Sequence, residues 1–377
     1  MVTGWIVLVA LVAVLYSLLM VLVIQGWNKT RKSGIPSNYF PVTSLSLIIP
    51  FRNESHRLQP LIASLDAVQY PRDLLEIICV DDHSEDDTFQ KLSRHVHPCL
   101  QVIQLKGGTN GKKAALRLGV KQAKGDILVF TDADCQFDNQ WLMQIAYEME
   151  TSQAGILAGP VHIKGPRSFL AKFQELDFLG MQGVTVAGLW FKKLPFANGA
   201  NLAIKKSFLE QLGGYPDDKS TRSGDDVFLM EKALLKDPSS VAFLKSKKAI
   251  VKTSPYLSWE AFFQQRLRWA SKTDAYEMQE MVYAQGLVFA FNLVILASLL
   301  LGIFHLHILI IGLIAFLIKS FWDIILLRKT AAFFNVRFSF PFFLIAALFY
   351  PFYFLVVGAM SFQKEQIEWK GRRLLFY

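Results

Sequence analysis

The 377-residue sequence predicts an α/β domain with a mostly parallel sheet, carried by one N-terminal and about three C-terminal membrane-spanning helices. Three observations support this. Short apolar strands alternate with longer amphipathic stretches from Leu45 to about Lys164, the pattern of a sheet with helices on both faces. Uncharged runs at Gly4 to Ile24, Met281 to Ile318 and Phe338 to Phe362 are long enough to cross a bilayer. Finally, 52% hydrophobic residues and a mean hydropathy of +0.30 are too apolar for an ordinary soluble enzyme.

The first run, 21 residues long, has Trp5 and Trp27 near its ends. No Lys or Arg precedes it, and its apolar core is too long for a cleaved signal peptide, so it reads as a signal anchor. Lys29, Arg31 and Lys32 follow at once, which by the positive-inside rule places the downstream domain in the cytoplasm. The net charge of +9 is scattered, with several basic residues flanking apolar runs. An anionic membrane surface explains that better than nucleic acid, for which neither a basic patch nor a known module is present. Cys79, Cys99 and Cys135 are odd in number and lack metal spacing, as expected of reduced thiols in a cytosolic domain.

Strands are expected at Leu45 to Pro50, Glu76 to Asp82, Gln101 to Leu105, Asp126 to Asp134 and Gly155 to Ile163. Helices are expected over 55–68, 86–97, 110–124 and 138–151, with Asn110 and Asp138 as available caps. The first strand runs into Pro50-Phe51-Arg52-Asn53-Glu54, and the second into Asp81-Asp82-His83-Ser84. The fourth runs into Asp132-Ala133-Asp134, two carboxylates that repel unless a hard cation such as Mg²⁺ or Mn²⁺ lies between them. A lone pair of this kind is more often a solvated turn, but its position at the carboxyl end of a strand is where open α/β sheets bind ligands. The Gly107 to Lys113 stretch fails the Walker pattern, and no GxGxxG occurs. Lys112 is nevertheless placed to send charge towards a diphosphate, whereas Lys113, Arg117, Lys121 and Lys124 fit a solvated helix face.

Ser168 to Phe191 is helical in pattern, apolar over too much of its circumference, and interrupted by Gly180, Gly183 and Gly188. It suits the membrane interface or a lipid-facing groove, with ordinary core burial as the alternative. Phe196 to Lys206 reads as a strand and Leu212 to Pro216 as a turn. Asp225-Asp226 then opens a helix; capping requires one acid and leaves the second available as a general base. Ser258 to Glu280 reads as a helix in which Gln265, Arg268 and Trp269 share one face. An Arg-Trp interfacial anchor is the plain alternative. The 38-residue run from Met281 makes two helices joined near His305 and His307, and Lys319 and Asp323 near the end of the second can snorkel or pair. Pro341 and Pro351 interrupt the third run. A full third crossing leaves Lys370, Arg372 and Arg373 outside, against the positive-inside tendency, while a hairpin bent at the prolines would return them. The full crossing, four helices in all, is the expectation.

In order, Pro50 to Glu54, Val80-Asp81-Asp82, Lys112, Thr131 to Asp134, Gly224-Asp225-Asp226 and Gln265-Arg266-Leu267-Arg268-Trp269 make the chain resemble a membrane-bound family 2 glycosyltransferase with a GT-A catalytic domain. Ceramide glucosyltransferase-like and hyaluronan synthase-like enzymes are relatives of this kind. The resemblance runs from the anchor to the C-terminal helices and implies roles. Pro50, Arg52 and Glu54 in the first loop, with Asp81 or Asp82, would hold uridine, and Lys112 would approach the diphosphate. Asp134 with Asp132 would bind Mg²⁺ or Mn²⁺. Asp225 and Asp226 would form the catalytic acidic pair, with Asp226 as base. Gln265, Arg268 and Trp269 would bind the acceptor end and the pyrophosphate. The closing Trp369 to Arg373 is similar to a tail of some bacterial members, implying a bacterial-type plasma membrane.

The implied organisation is an anchor over 1–30, a cytosolic catalytic domain over 42–255, an interfacial helix over 256–283, spanning helices over 284–363 and a basic tail over 364–377. The implied activity is inverting transfer of a hexose from a nucleotide-sugar, UDP-linked by the likeness, to a membrane lipid or lipid-linked acceptor. Polymerisation of an exported polysaccharide is the alternative. A tethered nucleotide-binding protein without catalysis is a further one, which the joint presence of Asp132, Asp134 and Asp226 disfavours.

Overall fold

In the computed structural model, residues 2–216, 224–270, 276–361, 367–369 and 372–374 are described. In chain order the elements are α1 (Val2–Lys29), β1 (Leu45–Phe51), α2 (Leu58–Asp66), β2 (Leu75–Asp81), α3 (Thr88–Arg94), β3 (Leu100–Gln104), α4 (Lys112–Gln122), β4 (Ile127–Phe130) and α5 (Trp141–Thr151). There follow β5 (Ile156–Ala158), β6 (Val161–Ile163), α6 (Phe169–Phe191), β7 (Leu202–Lys205), α7 (Lys206–Gln211), α8 (Asp225–Lys236), β8 (Val241–Phe243) and β9 (Val251–Thr253). The chain closes with α9 (Trp259–Ala270), α10 (Gln279–Leu301), α11 (Leu306–Phe334), α12 (Phe340–Ser361) and a short hairpin of β10 (Ile367–Trp369) and β11 (Arg372–Leu374).

These elements form two compact units: Met1–Lys29 with Pro166–Leu194 and Tyr256–Tyr377, and Thr30–Gly165 with Pro195–Pro255. The second unit is built on a seven-stranded sheet ordered β3-β2-β1-β4-β7-β5-β8. All neighbouring pairs are parallel except those of β7, which runs antiparallel to β4 and β5. The wholly apolar β4 and the nearly apolar β1 are buried along their length, as strands covered on both faces must be, whereas β3, with glutamines at its second and last positions, is a half-exposed edge.

The structure corrects several sequence expectations. The fourth strand stops at Phe130, and Asp132-Ala133-Asp134 lies in a turn closed by the Cys135 N–H on the Asp132 carbonyl (3.1 Å), so its acids are not a strand face. The expected strand from Gly155 splits at Gly159-Pro160, because proline has no N–H for the ladder. Its first half joins the main sheet as β5 and its second pairs with β9 as β6. Asn201 fills the corner, accepting from the Trp141 indole and donating to the Pro160 and Ala249 carbonyls. Neither expected cap is used as such. Gly111 caps α4 at a φ of 96°, and Gln140 caps α5 while Asp138 accepts its N–H. Ser223, within 217–223, and Lys370-Gly371 of the basic tail lie outside the described residues.

Among the described residues the first unit holds four helices long and apolar enough to cross a membrane, α1, α10, α11 and α12, which fits an integral membrane protein. Contrary to expectation, glycines do not break α6; a Cβ on Gly183 would meet the Leu326 side chain at 2.7 Å, so the gaps are packing sites. The helix expected from Ser258 to Glu280 ends as α9 at Ala270, and Tyr276–Met278 are not helical before α10 starts. An amphipathic helix and one apolar all round need different surroundings, hence separate axes. The prolines do not bend the last run into a hairpin. Pro341 sits in the first turn of α12, where a missing N–H is harmless, and Pro351 is accommodated inside one continuous helix. Lys319 and Asp323 pair at 2.6 Å, and the Tyr16 hydroxyl of α1 donates to the same carboxylate at 2.5 Å.

Candidate active site

The acids and lysines gather beyond the end of β4. Burial of β4 drives the chain into the sheet, and the polar residues that follow emerge at its carboxyl end. Thr131 is anchored there by its hydroxyl on the Ala200 carbonyl (2.9 Å). Asp132 meets the Lys112 ammonium at 2.5 Å, at the first residue of α4. Burial works against charge on Lys112, but its side chain is 39% exposed and Asp132, then Asp226, outweigh that, holding its pKa above the ordinary lysine value. Asp134 accepts the Thr253 hydroxyl at 3.0 Å. Its carboxyl is pushed up by burial first, then by the Asp132 and Glu54 carboxylates.

Asp225 and Asp226 occupy the first turn of α8, where the helix dipole favours them, but neither serves as its N-cap, which is Gly224. Asp225 lies 3.5 Å from Lys113, a residue expected only on a solvated face. Burial raises its pKa, Lys113 offsets part of that, and Asp226 adds to it. Asp226 is held by the Gly199 N–H on Oδ2 (2.8 Å) and the Val227 N–H on Oδ1 (3.0 Å). Tyr215, expected as a turn residue, packs its ring 5.7 Å from Phe130 and its hydroxyl 3.5 Å from Asp225. Burial, then Asp225, Asp226 and Asp132, push the phenol well above its ordinary range, so it remains a donor. Lys113, Tyr215 and Thr253 are thus the residues that sequence reasoning missed. The GGYP turn was visible, but nothing in its spacing shows which carboxylate it faces.

The loops after β1 and β2 lock onto each other. Arg52 donates to the Asp82 and His83 carbonyls (2.8 and 2.7 Å) and pairs with Glu85 at 2.8 Å. Glu54 is buried and pairs with Arg57 at 3.1 Å. Pro50 lies within β1 itself. Asp81, fully buried, accepts from the Ser84 N–H and from Gln104 (2.7 Å). Asp82 accepts the Gly111 N–H at 2.8 Å and so ties the start of α4 to the end of β2. Gln265, Arg268 and Trp269 lie on α9 in the other unit, partly exposed.

Asp132, Asp134, Asp225 and Asp226 set against Lys112 and Lys113 leave an excess of two negative charges when all are ionised. Among the described residues no three His, Cys, Asp or Glu groups form a ready-made metal cluster. Two hard oxygen donors crowded by like charge nevertheless fit a divalent cation whose other positions a ligand fills.

A mostly parallel open sheet with acids massed beyond a central strand is the arrangement of GT-A glycosyltransferases. Residues 46–213 match the model of Glycosyl transferase family 2. The chain is 26% identical over 251 residues to the probable glycosyltransferase YdaM of Bacillus subtilis, covering 64% of this chain and 58% of that protein. It is 24% identical over 255 residues to a poly-beta-1,6-N-acetyl-D-glucosamine synthase of Staphylococcus epidermidis (64% and 57%). It is 32% identical over 126 residues to a dodecaprenyl-phosphate galacturonate synthase of Rhizobium johnstonii (32% and 37%). The chain thus spans less than three-fifths of the length of these curated relatives. Among solved structures, the mannosyltransferase PcManGT of Pyrobaculum calidifontis, in complex with GDP-Man and Mn²⁺, superposes with a TM-score of 0.58 at 20% identity, over 97% of this chain and all of that one. This last likeness is one of fold.

Proposed function

We propose that the protein is an inverting glycosyltransferase that moves one sugar from a UDP-sugar to a membrane lipid or lipid-linked acceptor, with the catalytic domain on the cytoplasmic side. The observation that carries this is the cluster of Asp132, Asp134, Asp226 and Lys112 beyond β4 in a chain that also has four helices fit to span. Asp132 and Asp134 would hold Mg²⁺ or Mn²⁺, which would supply positive charge to the leaving diphosphate. Lys112, kept protonated by its carboxylate neighbours, adds a second positive charge there. Asp226 takes the proton of the acceptor hydroxyl as that oxygen bonds to the anomeric carbon and the carbon–phosphate-oxygen bond breaks, inverting the centre. Gly199 and Val227 orient that carboxylate. Asp225, with Lys113 and Tyr215, shapes its surroundings. Asp81 or Asp82, with the loop of Pro50, Arg52 and Glu54, takes the uridine. Gln265 and Arg268 serve the pyrophosphate, and Trp269 serves the acceptor.

The aromatic α6 and the dodecaprenyl-phosphate galacturonate for which the Rhizobium relative is named a synthase favour a lipid acceptor. The Staphylococcus relative favours the second reading, a polysaccharide synthase, but three C-terminal spans make a thin wall for a polymer channel. The test is to incubate purified protein with labelled UDP-sugars and a detergent-solubilised total lipid extract. One sugar in the organic phase, lost in excess chelator, is expected. Label in a high-mass, water-soluble polymer would establish the second reading, and chelator-resistant transfer would overturn the cation assignment.

A further inference from the structure

Helical spacing assigns Gln265, Arg268 and Trp269 to one face of α9 and leaves Arg266 without a task. In the structure Arg266 is the buried charge of that run, 3% exposed. Its Nη2 lies 2.8 Å from Asp177 Oδ2 on α6, a carboxylate that is itself 6% exposed. The Tyr353 hydroxyl of α12 hydrogen-bonds to the same carboxyl. The guanidinium carbon lies 4.4 Å from the centre of the Trp269 ring and 5.0 Å from that of Phe262, and Phe178 approaches the same indole at 6.3 Å.

Stability does not account for this arrangement. A desolvated ion pair commonly returns no more than the cost of burying its charges, and here Nη2 and Oδ2 approach closely without hydrogen-bond alignment. What the pair does is place a flat cation, itself held from behind, against an aromatic face. Such a contact strengthens when desolvated, and lysine lacks the plane to reproduce it.

We propose that Arg266, held by Asp177, is a positioning residue that sets the Trp269 indole in its acceptor-binding orientation. This rests on the reading above that Trp269 serves the acceptor. Arg266 touches neither donor nor reacting atoms in this account; it acts through Trp269.

The test compares wild type, R266Q, R266K, D177N, W269A and the R266Q/W269A double variant, purified in detergent and matched for thermal unfolding. Two activities are read: sugar transfer to a titrated total lipid extract, and hydrolysis of the UDP-sugar without acceptor. R266Q is expected to raise the half-saturating acceptor concentration roughly tenfold while hydrolysis stays within about twofold. R266K keeps the charge beside Asp177 but not the plane, and is expected to share the acceptor defect; D177N shares it in weaker form. The double variant is expected to be no worse than W269A, since a residue acting through another adds nothing once that one is gone. If W269A transfers normally, the acceptor reading fails and this inference falls with it. If W269A is impaired but the Arg266 effect multiplies with it, or R266K saturates like wild type, the acceptor reading stands and the positioning role is wrong. Should R266Q not fold, R266K and D177N decide by the same criteria.

Discussion

Asp226 is gripped by two backbone N–H groups, one on each oxygen, which fix its orientation. Replacing it with asparagine removes the basicity and nearly keeps the shape, leaving one carbonyl oxygen to accept from one of the two N–H groups while the amide NH₂ cannot accept from the other. D226N is therefore expected to bind UDP-sugar nearly as wild type and to turn over about 10²-fold more slowly or worse. Calorimetric binding beside single-turnover rates checks this; collapse of donor affinity with unchanged turnover of bound substrate would make Asp226 a binding residue. Asp134 carries a pH prediction. Its carboxyl titrates above the ordinary range because of burial, Asp132 and Glu54, so as pH falls it protonates, and stops accepting a cation, before an exposed aspartate does. Apparent Mn²⁺ affinity is expected to fall as pH is lowered, and to do so at a higher pH than a site built on exposed aspartates would show. T253V removes a hydrogen bond that favours the charged form, and should move that fall to higher pH. Cation titrations at fixed pH read both; coincident curves for the two proteins would refute the role given to Thr253.

At the scale of elements, helix contacts in the first unit depend on small residues. A Cβ built on Gly26 of α1 would come within 2.7 Å of the Ala187 backbone on α6, whereas one on Gly4 would meet nothing within 4 Å. Close backbone approach through small residues is how helices associate where no hydrophobic drive separates helix from lipid. G26L is expected to destabilise the unit by about 1–3 kcal/mol, read as a lower thermal midpoint in detergent, with G4L unchanged. Equal midpoints would mean that the two helices do not need this approach. The same reasoning applies to the glycines of α6: in sequence they look like breaks, and only the side chains packed on them, Leu326 at Gly183 and Leu194 at Gly188, show these two to be recesses.

Considering the whole molecule, α12 is continuous; in the proposed orientation, with the catalytic domain cytoplasmic and the N-terminus outside, four full crossings would carry the tail outside as well. That sets the basic residues Lys370, Arg372 and Arg373 against the positive-inside tendency, which for a short tail is a bias and not a prohibition. A cysteine placed after Arg373 is expected to react with a membrane-impermeant reagent in intact cells. An unlabelled tail beside a labelled N-terminal control would exclude the full crossing.

The sequence by itself determined the alternating α/β domain, the four apolar spans and the positions of Asp132, Asp134, Asp225 and Asp226, because periodicity, span length and charge are local properties that survive without a fold. It could not show partners. That Lys113 answers Asp225, that Asp81 and Asp82 are met by Gln104 and Gly111, and that Arg266 lies buried against Asp177 are all contacts between residues distant in the chain, and even Tyr215 meets Asp225 across ten residues. The strand-end acids were legible, but their place in a turn was not, since the stop at Phe130 comes from the pairing of β4 with β1 and β7. Tertiary structure decided these points because burial and pairing are set by which elements meet, and a helix face or a strand end reads the same in sequence whatever is packed against it.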